Sequence, residues 1–103
     1  MTALVIRNGS GIGRADARKI LDAVHESIEK TLKDPASAGA LVGKHDLGLA
    51  PAIAAAAIPH CNFVYLEARE ARPEVEALLS VFLKSAAASI GGALPDDAFY
   101  TSY

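Results

Sequence analysis

The chain has 103 residues, of which 51% are apolar and 21% are charged, so the sequence predicts one domain, residues 1–103, with a modest core. Its formal net charge of -2 gives no electrostatic reason to expect nucleic acid or an acidic membrane as a partner. The one cysteine, Cys61, cannot form an internal disulfide, and residues 1–7 lack the features of a signal peptide, which favours a cytoplasmic protein. The uncharged residues 47–58 are too few to span a bilayer.

The first half of the chain predicts the order strand, helix, strand. Residues 3–6 form a short apolar run before a glycine-rich turn, which is typical of a buried strand. Over residues 15–33 apolar side chains recur at helical spacing with charges opposite them, which predicts an amphipathic helix. Asp34 and Pro35 end that helix, because the residue before a proline disfavours helical geometry. Residues 39–43 can then supply a second short strand.

The second half repeats this order. Residues 63–66 carry a strand signal, and Pro73 stands where the first turn of a helix tolerates proline, so a helix is predicted to run to about Ile90. Residues 98–103 combine aromatic and hydroxyl side chains in a final strand. Two consecutive β-α-β units predict an α/β fold with a four-stranded, mainly parallel or mixed sheet and both helices on one face. The face of that sheet without helices is expected to be buried against other subunits.

The stretch from Pro59 to Arg72, PHCNFVYLEAREAR, resembles the opening of the β-α-β building block of the tautomerase superfamily. In single-unit members such as 4-oxalocrotonate tautomerase a proline opens the strand and a Leu-Glu-Gly-Arg run closes it, and Pro59 and residues 66–69 (LEAR) match that spacing. The resemblance implies two units, residues 1–58 and 59–103, in a homotrimer like that of macrophage migration inhibitory factor. It implies no cofactor, and no group of side chains has the spacing of metal ligands.

The resemblance implies a site for a small carboxylate-bearing enol or 2-oxo acid. Arg69 and Arg72 are spaced like two substrate-binding arginines in the related cis-3-chloroacrylic acid dehalogenase, and a guanidinium can hold a carboxylate through two parallel hydrogen bonds. The family implies further substrate contacts for Tyr103 at the end of the last strand and for His25 on the first helix. Without the resemblance, both arginines would be interpreted as members of solvated ion pairs with neighbouring glutamates.

The catalytic position departs from the family pattern, because the family uses an exposed N-terminal proline and residue 2 of this chain is Thr2. Pro59 aligns with that proline, but inside the chain its amide nitrogen has neither a proton nor useful basicity. Removal of Met1 would free the Thr2 α-amine, whose reference pKa of about 7.7–8.0 suits proton transfer to and from carbon. The predicted function is therefore that of a tautomerase or isomerase with Thr2 as the catalytic residue. The alternative is a non-catalytic trimeric binding or assembly protein of the same fold.

A third alternative is a nucleotide-binding fragment. Residues 3–18, ALVIRNGSGIGRADAR, resemble the opening of short-chain dehydrogenases, in which a glycine-rich turn before a helix cradles a pyrophosphate. The Thr-Gly that normally precedes this turn is missing, and no tyrosine is followed by a lysine four residues later. The chain is also far shorter than a doubly wound dinucleotide-binding fold.

Mass spectrometry of the N-terminus tests the amine-base mechanism. We expect the N-terminal peptide to begin at Thr2, because a small second residue permits removal of Met1. Retention of Met1 would leave no free amine on Thr2 and would exclude this residue as the base.

Overall fold

The computed structural model describes residues 3–7 and 9–103, and all regular structure in them is helical. The α-helices are α1 (Arg14–Lys33), α2 (Pro35–Lys44), α3 (Pro51–Ala57) and α4 (Ala68–Ala86). Short 3₁₀ segments cover Ile58–His60, Ala87–Ile90 and Asp97–Phe99. The chain divides into two compact units, unit 1 with Met1–Tyr65 and Tyr103, and unit 2 with Leu66–Ser102.

The predicted α/β fold is wrong. The described residues contain no strand, so the four-stranded sheet, the two β-α-β units and the fold like that of macrophage migration inhibitory factor and the tautomerases are all overturned. Residues 39–43 lie inside α2, while residues 3–6 and 63–66 have no regular structure. In place of the predicted last strand, residues 97–99 form a 3₁₀ turn. Short apolar runs do not distinguish a strand from a helical or irregular segment, because a strand exists only where a second strand completes its hydrogen bonds.

The Asp34-Pro35 step confirms the predicted end of the first helix and also begins the next one. The Asp34 N–H donates to the carbonyl of Lys30 in the last turn of α1. Its carboxylate accepts hydrogen bonds from the Ser37 backbone N–H at 3.0 Å and from the Ser37 hydroxyl at 2.6 Å. The hydroxyl bond, followed by the backbone bond, lowers the pKa of Asp34. Pro35 occupies the first position of α2, where a missing N–H costs no hydrogen bond.

The packing of α2 on α3 depends on two glycines. A Cβ atom added to Gly39 would lie 2.9 Å from the Cβ of Ala55 and would overlap the carbonyl oxygen of Pro51. A Cβ atom added to Gly43 would overlap the Pro51 ring. Glycine inside a helix costs about 1 kcal/mol relative to alanine. Because residues 39–43 contain two glycines, their sequence does not indicate a helix. The close approach of the two helices offsets the cost.

The core of unit 1 consists of small and medium side chains. Ala17 on α1, Ala54 on α3 and Ile58 just after α3 are the buried apolar residues of this unit among those described. Several larger apolar side chains are exposed to solvent, such as Ile20 on α1 with 41% of its surface exposed. Residues 47–58, for which the sequence predicts no conformation, contain α3 and the start of the following 3₁₀ segment. Pro59 lies in that segment and begins no strand.

The helix of unit 2 confirms the second predicted helix but begins earlier. It starts at Ala68, so that Pro73 lies inside α4 instead of in its first turn. The helix passes into the 3₁₀ segment Ala87–Ile90, and Gly91 ends it with a left-handed φ of 77°, a conformation that glycine adopts at little cost. Within the described part of the chain, no helix has both the length and the apolar character needed to cross a membrane.

We expect Gly39→Ala to lower the free energy of unfolding of unit 1 by about 1–2 kcal/mol. The overlap involves the backbone oxygen of Pro51, so its cost lies in the upper part of the range for overpacking, about 2–3 kcal/mol, and the better helix propensity of alanine recovers about 1 kcal/mol of it. Urea unfolding followed by circular dichroism measures the difference. Equal or greater stability of Gly39→Ala would contradict the close-packing account.

Candidate functional site

Arg69 and Arg72 lie on the same face of α4. They are three residues apart near the start of the helix, and side chains at this spacing are neighbours on a helix surface. Together with Asp97 and Tyr100 they line a cavity of about 360 Å³ in unit 2. The structure thus brings together the two arginines that the sequence predicts as carboxylate ligands, on a helix and not in a loop after a strand.

Arg72 is the most connected side chain of this cavity. Its Nε donates to Oε1 of Glu76 at 2.8 Å, and its Nη1 donates to Oδ1 of Asp97 at 2.6 Å. Its Cζ lies 4.8 Å from the centroid of the Tyr100 ring, within the range of a cation-π interaction. The hydrogen bonds with Asp97 and Glu76 raise the pKa of the guanidinium above its usual value. Arg72 therefore ties the end of unit 2 to α4.

A short turn presents Asp97 and Tyr100 to the cavity. We call residues 96–101 the C-terminal turn. The Asp96 carboxylate accepts a hydrogen bond from the Ala98 N–H at 3.0 Å, and the Thr101 hydroxyl donates to the Ala98 carbonyl at 2.8 Å. These local bonds define the backbone conformation of the turn without using the carboxylate of Asp97.

Tyr100 is the buried residue of the cavity. It is 3% exposed, and its hydroxyl has no hydrogen-bond partner among the described residues. Burial, with a smaller contribution from the negative charge of Glu76, raises the pKa of this phenol above 10.0. A buried hydroxyl without a partner is destabilising, since it has lost its hydrogen bonds to water. Tyr100 therefore remains neutral at physiological pH, and its buried hydroxyl has no acceptor among the described residues.

Arg69 differs from Arg72 in its electrostatic surroundings. It is exposed, and within the described residues no carboxylate forms an ion pair with it, whereas Arg72 has two. The four charges of Arg69, Arg72, Glu76 and Asp97 sum to zero. An anion entering this cavity is therefore bound by direct hydrogen bonds and gains little from long-range attraction.

The other predicted site residues belong to unit 1 or lie outside the described residues. The ring of His25 stacks on Tyr65 with a centroid distance of 4.3 Å and an angle of 10° between the planes. Its Nε2 lies 3.6 Å from Oε1 of Glu29. The backbone carbonyl of Tyr103 accepts a hydrogen bond from Arg18 at 3.2 Å. These are contacts within the fold, and the structure does not describe Thr2.

The sequence reasoning missed Glu76 and Asp97 as members of the site and preferred Tyr103 to Tyr100. The pairing of Arg72 with Glu76 could have been predicted, because oppositely charged side chains four residues apart meet on a helix. The pairing of Arg72 with Asp97 spans 25 residues, and no local sequence pattern indicates it.

A second cavity, of about 430 Å³, runs along α1 in unit 1 and is apolar. Its lining residues are Ile20, Ala23, Val24, Ser27, Ile28, Thr31 and Phe63. The two hydroxyls in this lining donate to backbone carbonyls of α1, each at 2.7 Å. No group of three or more histidine, cysteine, aspartate or glutamate side chains suited to a metal ion occurs in residues 3–7 and 9–103. Of these two cavities, the one in unit 2 therefore carries the charged side chains.

The comparisons with known proteins identify no relative. No protein-family model, no curated protein and no solved structure matches the chain. The chemistry of the cavity therefore has to follow from its own side chains.

We expect Tyr100→Phe to reduce the loss of stability that the chain shows at high pH. Because burial raises the Tyr100 pKa above 10.0, folding favours the neutral phenol. The contribution of Tyr100 to the free energy of unfolding is complete below the pKa that this phenol has in the unfolded chain. It is lost as the pH rises through the pKa that the phenol has in the folded chain. Urea unfolding at about pH 8 and about pH 11 should show a larger loss for the wild type than for Tyr100→Phe.

Tyr103→Phe removes the same hydroxyl from the last residue and is the comparison variant for this measurement. A Tyr100→Phe variant that loses as much stability as the wild type between the two pH values would contradict the buried neutral phenol.

Proposed function

We propose that unit 2 binds a small carboxylate, either an enol or a 2-oxo acid, in the cavity next to Arg69 and Tyr100. The observation that carries the proposal is that the side chains of two arginines, Arg69 and Arg72, line the same cavity together with the aromatic residue Tyr100. A volume of about 360 Å³ lies at the lower end of the range for small-molecule sites. The cavity therefore suits a ligand of a few carbon atoms.

Each side chain has a distinct role in this proposal. Arg69, which has no carboxylate partner in the described chain, holds the ligand carboxylate through two parallel N–H···O bonds. Tyr100 forms part of the cavity wall and keeps its ring against the Arg72 guanidinium. Since its pKa is raised, Tyr100 stays neutral and does not act as a base.

The affinity expected for such a ligand is modest. The charge of Arg72 is offset by Glu76 and Asp97, and Arg69 is exposed to water, which weakens each ion pair that it forms. We expect a dissociation constant on the order of millimolar for a ligand as small as pyruvate. An added aromatic ring, as in phenylpyruvate, increases the apolar area that binding can bury.

Ketonisation of a bound enol is a second candidate function. The observation that favours it is the pair of guanidiniums of Arg69 and Arg72 at the cavity, because hydrogen-bond donors next to an enol oxygen stabilise the negative charge that develops during proton transfer. Phenylenolpyruvate is the appropriate substrate, because its ketonisation can be followed by absorbance.

We expect Arg69→Gln to weaken binding of phenylpyruvate about tenfold, since one charge-assisted pair of hydrogen bonds is removed. Titration of the ¹⁵N-labelled chain with phenylpyruvate, followed by NMR, measures the affinity and identifies the amides that respond. Lys84→Gln is the matched control. It removes the same charge from the same helix, about 22 Å away along the axis, and its affinity should equal that of the wild type.

Two outcomes would contradict the proposal. One is an Arg69→Gln variant that binds as tightly as Lys84→Gln, and the other is a response of the amides confined to residues outside unit 2. Binding by the wild type without faster ketonisation of phenylenolpyruvate than buffer would retain the binding function and exclude the catalytic one.

A further inference from the structure

The carboxylate of Asp97 occupies the position in which a ligand carboxylate would meet Arg72. It lies 2.6 Å from Nη1 of Arg72 and lines the same cavity as Arg69 and Tyr100. We propose that Asp97 competes with the ligand for Arg72. In the unliganded chain the Asp97 carboxylate is bound to Arg72, and a ligand carboxylate displaces it. This inference rests on the proposed function and adds a residue that controls access to the site.

Asp97 can leave without disturbing the turn that carries it. Its side chain is 90% exposed, and the hydrogen bond to Arg72 is the one bond that its carboxylate forms with the described residues. The neighbouring Asp96, not Asp97, caps the C-terminal turn through the Ala98 N–H. Release of the Asp97 carboxylate therefore returns it to water and leaves the local backbone bonds intact.

Arg72 remains in place when Asp97 leaves. Glu76, one turn further along α4, still accepts from Nε at 2.8 Å. The Tyr100 ring still lies against the guanidinium, with Cζ 4.8 Å from its centroid. The Nη1 donor of Arg72 is then available to one oxygen of the ligand carboxylate that Arg69 holds, since a carboxylate oxygen can accept more than one hydrogen bond.

The exchange leaves the charge balance of Arg72 unchanged, because one carboxylate replaces another. What the ligand must overcome is a single exposed ion pair, and such pairs stabilise proteins only slightly. Removing the competitor should therefore tighten binding by a small but measurable factor.

The experiment compares two neighbouring carboxylates. We expect Asp97→Asn to bind phenylpyruvate about two- to fivefold more tightly than the wild type in the same NMR titration. Asp96→Asn is the matched control, since it removes the same charge one residue away and its side-chain oxygen can still accept from Ala98. Its affinity should change less than twofold. Asp97→Ala, which also removes the acceptor, should bind at least as tightly as Asp97→Asn.

The outcomes separate this inference from the proposed function. Binding by the wild type with equal affinities for Asp97→Asn and Asp96→Asn would overturn the competitor role and retain the binding site. Weaker binding by Asp97→Asn and Asp97→Ala would also overturn it, because Asp97 would then position Arg72 for the ligand. Binding by the Asp97 variants alone would support the competitor role and show that Asp97 prevents binding in the wild type. Absence of binding in every variant would overturn both proposals.

Discussion

The close approach of α2 and α3 at Gly39 and Gly43 is the contact on which unit 1 depends. With seven residues, α3 is too short to be stable as an isolated helix, and the core beside it is limited to small and medium side chains. Only glycine at these two positions lets the α2 backbone reach Pro51 and Ala55. Dispersion contacts between closely packed backbones therefore supply stability that large apolar side chains supply in other proteins.

Unit 2 also buries few large apolar side chains among the described residues, and polar contacts stabilise it. Tyr100 is its buried apolar residue among those described, and it is covered by the guanidinium of Arg72, which also holds Glu76 and Asp97. The same atoms that join the C-terminal turn to α4 are the ones that would meet a ligand. Because an exposed ion pair contributes little free energy, such a contact can hold the turn and still be exchanged for a ligand carboxylate.

The sequence predicts those elements of this protein whose signals are local. The helix that becomes α1, its end at Asp34 and Pro35, and most of α4 follow from helical spacing and from proline geometry. The predicted strand over residues 39–43 failed because its two glycines disfavour a helix unless a second helix packs against them. The run of residues 63–66 resembled a strand by composition, but no partner strand exists among the described residues.

The amino-acid sequence by itself determined which side chains meet over one turn of a helix. Arg69, Arg72 and Glu76 share a face of α4 because helical geometry repeats over three to four residues. Only the tertiary structure decided that Asp97 and Tyr100 complete the cavity, and that Pro51 faces Gly39. The reason is physical, since contacts between residues far apart in the chain depend on how whole segments pack. That packing is a balance of many small free energies that no local sequence pattern encodes.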